Sequence, residues 1–399
     1  MAKFLQIDTP SPEPSAPASG FALWNLGFRP FYLLASIFAA LSVALWTAQY
    51  AGYLPDTYLR SQVWHGHEML FGYTVAVITG FLFTAVRTWT NQPTPTGLVL
   101  AAFAALWVAG RVLVLTPYET AAAWINAAFP VAVAVAIGIP LVQSGNRRNY
   151  FFVALLLLLG LAVLVLNLSY RGRVNWPVHA SLQVSLDAVL FIMTVMGGRV
   201  IPMFTNNGVP GAQARRKPLV EILTLGSVLI LLGADLMQAP AGVIATLTLI
   251  GASAHAVRLY LWQPWRTFAT PLVWILHVAY AWIVIHLTLR ALASAGLVAE
   301  PLALHALTIG AIGGLTLGMM TRTARGHTGR PLVADGFELA CYILVQLAAV
   351  ARVFAGMLLP DAYLATVISS GFCWSAAFGL YAVRYWPVLS RPRLDGKPG

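Results

Sequence analysis

Histidine holds most of the chemical potential of this chain: eight stand at positions 65, 67, 179, 255, 277, 286, 305 and 327 of a sequence with only 13 Asp and Glu. Imidazole ligates iron and copper and exchanges protons near neutrality. Two of the eight form an HxH, Trp64-His65-Gly66-His67-Glu68-Met69, at the head of an apolar stretch. At about 100° per residue, His65, Glu68, Met69, Gly72, Ala76 and Gly80 share one stripe of a regular helix, and His67 points roughly 160° away from its centre. The two imidazoles therefore serve different partners. His65 faces a groove of small residues that admits either a planar cofactor or a neighbouring helix. The plainer alternative is a polar cap at a helix mouth with tight packing behind it.

Three further segments have a comparable pattern. From His305, glycines recur every four residues at Gly310, Gly314 and Gly318, a close-packing face, with His305, Thr308, Thr316 and Met319 roughly opposite. His277, within Pro271–Tyr280, is expected near mid-membrane, as a buried ligand or as a ring satisfied by Tyr or backbone; His286, nine residues on, points to the other face. His179, Gln183, Asp187 and Thr194 share a face, and Asp187 suits a proton route, a partner that orients a ligand, or a structural ion pair. Beyond them Gly197, Gly198 and Pro202 are expected to distort the helix end. A basic loop from Thr321 to Pro331, with Arg322, Arg325, His327 and Arg330, suits haem propionates or an anion, or is ordinary cytoplasmic charge.

The elements that must position these residues follow from composition. Of 399 residues, 59% are apolar and 9% charged, whereas soluble chains are about 25% charged. Mean hydropathy is +0.76, and apolar runs of spanning length recur from Phe31 to Pro387. The breaks predict an all-α polytopic membrane bundle of about twelve helices, over 29–51, 63–86, 97–115, 119–143, 149–170, 178–203, 217–238, 240–262, 268–293, 301–323, 334–358 and 362–389. One bundle is expected over 28–389, between a disordered, signal-free cytoplasmic tail over 1–27 and a short cytoplasmic tail over 390–399. With both termini cytoplasmic, 18 Lys and Arg fall on the cytoplasmic side and 6 (Arg60, Arg111, Arg171, Arg173, Arg290 and Arg352) on the other. That bias explains the net charge of +11 by topology, so nucleic acid is not a partner. No internal repeat is visible. Cys341 and Cys373 lie in separate apolar runs, without a CxxC or CxxCH, which argues against a thiolate zinc site and covalent haem.

An ionisable side chain in hydrocarbon costs roughly 2.5–3.5 kcal/mol on insertion scales, so each one needs a partner or a task. In this orientation His65, His67, His179, His286 and His305 lie near the outer surface, a candidate metal layer, and His255 and His327 lie toward the cytoplasm.

The segments at 28–36, 64–90, 197–208, 271–280 and 305–332 together resemble the NnrS family of bacterial haem- and copper-containing membrane proteins. Departures are slight: Gly66 stands where a residue such as alanine is expected, and the tail to Gly20 lies outside the pattern. The resemblance implies a twelve-helix bacterial inner-membrane protein that binds haem b and copper and acts in denitrification and relief of nitric oxide stress, drawing on an electron donor the sequence does not identify. It favours His65, His67, His277 and His305 as metal ligands, with His327 next; His179, His255 and His286 fall outside the matching segments. On this reading Glu68 and Asp187 deliver protons, and Arg29, Arg87 and Arg199 contact propionates or an anion. A haem-dependent oxidoreductase acting on nitric oxide is the leading expectation. A transporter of haem, copper or a small anion, and a nitric oxide sensor or assembly partner, are the alternatives.

Overall fold

A computed structural model describes residues 20–55, 59 and 61–397. Lys3, Arg60 and the expected tail through residue 19 lie outside the described residues. Twelve described helices are long and apolar enough to cross a membrane: α1 Phe28–Tyr50, α2 Gln62–Thr90, α3 Gly97–Val114, α4 Glu119–Gln143, α5 Arg147–Tyr170, α6 Val178–Gly208, α7 Pro218–Leu236, α8 Ala241–Arg266, α9 Pro271–Ser294, α10 Glu300–His327, α11 Gly336–Leu358 and α12 Tyr363–Ser390. No strand occurs among the described residues. The chain is a multi-pass membrane protein, and large apolar side chains such as Leu41, Leu161, Ile222, Leu249 and Val383 cover its outer surface.

Two sequence expectations change at the ends of helices. Residues 20–27, expected in the tail, are packed: Ala22, Leu23 and Leu26 are buried, and the Ala22 N–H donates to the Ser390 carbonyl at 2.8 Å. Their apolar side chains find cover where α1 and α12 meet. The second concerns α6, which runs unbroken through Gly197, Gly198 and Pro202 to Gly208. These glycines make room rather than a break. A Cβ at Gly198 would overlap the Arg258 guanidinium, and one at Gly197 would sit 3.3 Å from the Tyr280 ring. Arg258 uses that space to reach the Thr194 carbonyl at 2.8 Å and Glu221 at 2.5 Å.

The helices bearing His65, His67, His179 and His305 form the centre. Of the central stretches, 83% of α2 and 67% of both α6 and α10 are buried, against 33% of α3, so polar groups on these three helices face protein rather than lipid. Glycine sets the closest approach, as its periodicity predicts: positions 310, 314 and 318 of α10 abut Trp282, Ala279 and Leu276 of α9. At Gly314 an added Cβ would lie 2.6 Å from the Ala279 Cβ. Gly314→Val is therefore expected to overpack the α9–α10 seam at a cost of about 1–3 kcal/mol. Thermal melts in detergent check this. The variant melts several degrees lower, whereas Gly226→Ala, with nothing within 4 Å of its added carbon, melts no lower than the parent.

Candidate functional site

His65, His179 and His305, near the starts of α2, α6 and α10, line one cavity of about 310 Å³. The ends of α1 and α11 and the start of α12 complete its wall, with Trp46, Arg352 and Tyr363. The volume lies within the ~300–1,000 Å³ typical of small-molecule and cofactor sites. Each imidazole is held differently. The His65 ring stacks on Trp46 with centroids 4.1 Å apart, and its Nδ1 is buried without a hydrogen-bond partner. His305 places Nδ1 2.6 Å from the Pro301 carbonyl. Donation there fixes the tautomer and leaves Nε2 as the lone-pair nitrogen, the arrangement metal-ligating histidines use. His179 is exposed at the mouth.

The cavity exists because three helices change pitch beside it. Glu68–Thr74 of α2, Ala306–Gly313 of α10 and Ala351–Ala355 of α11 are π-helical, and each contributes lining residues, among them Met69, Thr308 and Arg352. Well under 1% of residues in ordinary proteins are π-helical, and such turns concentrate at functional sites. The backbone groups they loosen are satisfied locally, as an apolar setting demands. Thr74 Oγ1 donates to the Met69 carbonyl at 2.8 Å, Trp107 Nε1 to the Gly72 carbonyl at 3.0 Å, and Ser370 Oγ to the Ala348 carbonyl at 2.8 Å. At the floor, the Tyr73 and Thr316 hydroxyls are 2.5 Å apart and tie α2 to α10.

The wider pitch also corrects the stripe read from a regular helix. Past His65 the lining residues of α2 are Gly66, Met69, Leu70, Tyr73 and Thr74, while Glu68 and Gly72 turn away. Glu68 is 1% exposed, with Oε1 2.7 Å from His67 Nδ1 and Oε2 2.9 Å from Arg111 Nη1. His67 Nε2 is 3.4 Å from the Asn167 amide, so the two imidazoles of the HxH do serve different neighbours. Arg111 also donates to Asn126.

The remaining predicted residues lie off this cavity. His277 is about 9 Å along α9 from Pro271 at the helical rise of 1.5 Å per residue, midway between that end and the centre of the helix. Its Nδ1 is 3.1 Å from the Val273 carbonyl, and its Nε2 3.3 Å from the Thr205 hydroxyl. His327, about 33 Å along α10 from His305 at the same rise, packs against Phe28. Arg29 donates to the carbonyls of Leu389 and Arg391 at 2.9 and 2.7 Å, which pins α1 to the end of α12. Arg199 donates to Asn149 at 2.7 Å, and Arg87 is exposed. The segment expected as a basic loop is helical through His327, the end of α10, and its charges are spent on the fold: Arg325 meets Glu338 at 2.6 Å, and Arg322 lies 3.8 Å over the Phe204 ring. Asp187 stands one step behind the cavity, accepting from the lining residue Gln183 at 3.0 Å and from Arg290 at 3.1 Å. Arg290 also clamps Asp235 at 2.6 Å.

Sequence reasoning underrated His179, which lay outside the family-like segments, and missed Arg352, counted only as outer-side charge. An arginine inside the apolar run of α11 was the available signal.

A family model described as NnrS protein matches residues 22–393. No curated protein matches the chain.

The position of Glu68 between two partners generates a test of its role. Glu68→Gln removes the carboxylate that faces Arg111 and should destabilise the protein by about 3–5 kcal/mol, the usual cost of breaking a buried pair. Glu68→Gln/Arg111→Met should recover most of that loss in chaotrope unfolding. Full stability in the single variant would return Glu68 to a functional role.

Proposed function

The chain belongs to the NnrS family, and from that premise we propose that its cavity is the seat of a haem b, ligated by His305 and His65, in a protein that binds or redox-converts nitric oxide and so relieves nitrosative stress. The observation that carries this reading is the convergence of imidazoles from three helices on one cavity in an otherwise apolar wall. Its donors fit the group: His305 presents Nε2 with its tautomer set by Pro301, and His65 is supported on the face of Trp46. Haem iron needs only one or two axial imidazoles. Copper, which the family resemblance also implies, fits less well: among the described residues no three His, Cys, Asp or Glu side chains converge to form a cage for a bare ion.

When bound, haem supplies an iron at which a diatomic ligand coordinates and electrons are exchanged. The chain's own residues do the rest. Leu70, Leu186, Ile309 and Ile312 keep water from the wall. Thr308 and the Tyr73–Thr316 pair offer hydroxyls at the wall and floor. Asp187, whose Oδ2 is buried without a partner, would hold a proton behind the wall residue Gln183 and beside the Arg290–Asp235 pair. We place the chain in the bacterial inner membrane with both termini cytoplasmic. The cavity then opens on the outer side, where nitric oxide and an electron donor reach it.

The reading is tested by the absorption spectrum of protein purified in mild detergent from haem-replete membranes. A Soret band is expected, moving when nitric oxide is added to the reduced protein. His305→Ala should abolish or shift that band with the fold intact, and His277→Ala should leave it in place while lowering the melting temperature. A folded protein without a Soret band overturns the haem assignment.

A further inference from the structure

Arg352 differs from the other arginines buried among the helices. Arg111 faces Glu68, Arg258 faces Glu221, and Arg290 faces both Asp187 and Asp235. Each of these three cations is matched by a carboxylate, as the cost of burying a lone charge requires, and the buried Arg29 instead donates to the Leu389 and Arg391 carbonyls. Arg352 is 6% exposed, yet no carboxylate among the described residues lies within ion-pairing distance of it. Its Nη2 donates to the Tyr363 hydroxyl at 2.8 Å, and its guanidinium lies 5.0 Å from the centre of that ring. Nε and Nη1 are buried with no hydrogen-bond partner. An aromatic face offsets part of a cation's desolvation but gives these two N–H-bearing nitrogens no acceptor.

Its position turns this deficit into a site. Arg352 lines the cavity, from the π-helical turn of α11, and lies within electrostatic range of both His65 and His305. Among the described residues, the only acidic residue lining the same space is Glu300, which is exposed. The wall thus presents one fixed positive charge with donors unspent, beside two imidazoles. A cation in that state is completed by an anion from outside the chain, and guanidinium suits the planar oxygens of a carboxylate or small oxyanion.

We propose that Arg352 is the anion-binding residue of the cavity, receiving the oxygens of a monoanionic carboxylate or oxyanion whose remainder lies against His65 and His305. This rests on the reading of the cavity as the functional site. It assigns to Arg352 the contact that sequence reasoning sought at Arg29, Arg87 and Arg199. The carboxylate is either an edge group of a bound macrocycle or a free small ion, and the two sources separate experimentally.

Haem-free protein in detergent is titrated with haem and with haem dimethyl ester, which lacks the carboxylate charge. Haem-free and haem-loaded protein are titrated with sodium nitrite and sodium acetate, followed by tryptophan fluorescence and melting temperature. If the anion belongs to the macrocycle, the ester binds the parent protein about tenfold or more weakly than haem, the scale of one charge-assisted hydrogen bond, and Arg352→Gln removes the difference. If the anion is free, nitrite or acetate shifts the fluorescence and raises the melting temperature of the parent, and Arg352→Gln abolishes both effects. Arg352→Met should melt higher than the parent when ligand-free, because it deletes an unmatched buried cation, and yet bind the anionic probe more weakly; a misfolded variant loses binding without the higher melt. Equal binding of haem and ester, with no response to nitrite or acetate, overturns the anion site and leaves the haem reading standing. An acid-over-ester preference unchanged in Arg352→Gln places the contact elsewhere and also overturns it. Nitrite or acetate binding lost in Arg352→Gln, in a protein that takes up neither haem nor ester, upholds the anion site and removes the haem reading.

Discussion

An ionisable side chain carried into hydrocarbon must be compensated inside the bundle, because neither lipid nor bulk water does it there. Most of the polar architecture follows from that constraint. Glu68 with Arg111 and His67, Glu221 with Arg258, and Asp187 with Arg290 and Asp235 are separate charge-matched sets, each joining two or three helices. They act as pins, and their geometry dictates neighbouring residues. Gly198 is a glycine because Arg258 passes where its side chain would be. The histidines divide along the same line. His67 and His277 lie within hydrogen-bonding distance of groups of the fold on both ring nitrogens, whereas His65, His179 and His305 open onto one cavity.

That cavity depends on pitch more than on residue type. A regular α2 would continue the His65 stripe through Gly72. The π-helical turn from Glu68 to Thr74 advances the register, so that Tyr73 and Thr74 take the cavity side while Glu68 rotates onto Arg111. One local change thus fills the pocket wall with an aromatic hydroxyl and sends a carboxylate to a pin. The turns in α10 and α11 work beside it, the latter aiming Arg352 inward. Three departures from regular geometry around one space are hard to reconcile with simple packing, since each needs side-chain or backbone donors to repair it.

The spans, their number and the glycine face of α10 were legible because hydropathy and four-residue periodicity act over long stretches, and averaging suppresses local exceptions. The opposed directions of His65 and His67 were legible too, because the pair precedes the change of pitch. What lay beyond reach was the partner of each polar group. Nothing in the sequence around Glu68 reveals that Arg111, forty-three positions on, closes on it, and π-helical turns have no recognisable composition. Arg29 and Arg199, read as contacts for an anion, meet carbonyls and an amide because helix ends expose acceptors that sequence does not announce. Arg352 was hidden differently: counting it toward topology absorbed the signal that an intramembrane arginine carries.

The distribution of closed and open polar groups along the bundle separates a body from a site. Toward the end where α1 and α12 meet, Arg29, Arg325, Glu338 and Arg393 knit helix ends and both flanking segments together, with Arg393 bonding the His327 carbonyl at 2.9 Å. Polar groups there are largely spent on one another. At the opposite end, three helices loosen their pitch around a space that holds a cation with two unspent donor nitrogens, His65 with Nδ1 unpartnered and His305 with Nδ1 set on the Pro301 carbonyl. Open groups are not confined to this end, since Asp187 Oδ2, His255 Nε2 and His286 Nε2 are buried without partners as well, but here imidazoles and a cation without a carboxylate share one cavity. The proposed site needs both parts: rigid ion-paired surroundings that keep the open groups in position, and open groups whose cost a bound ligand would recover.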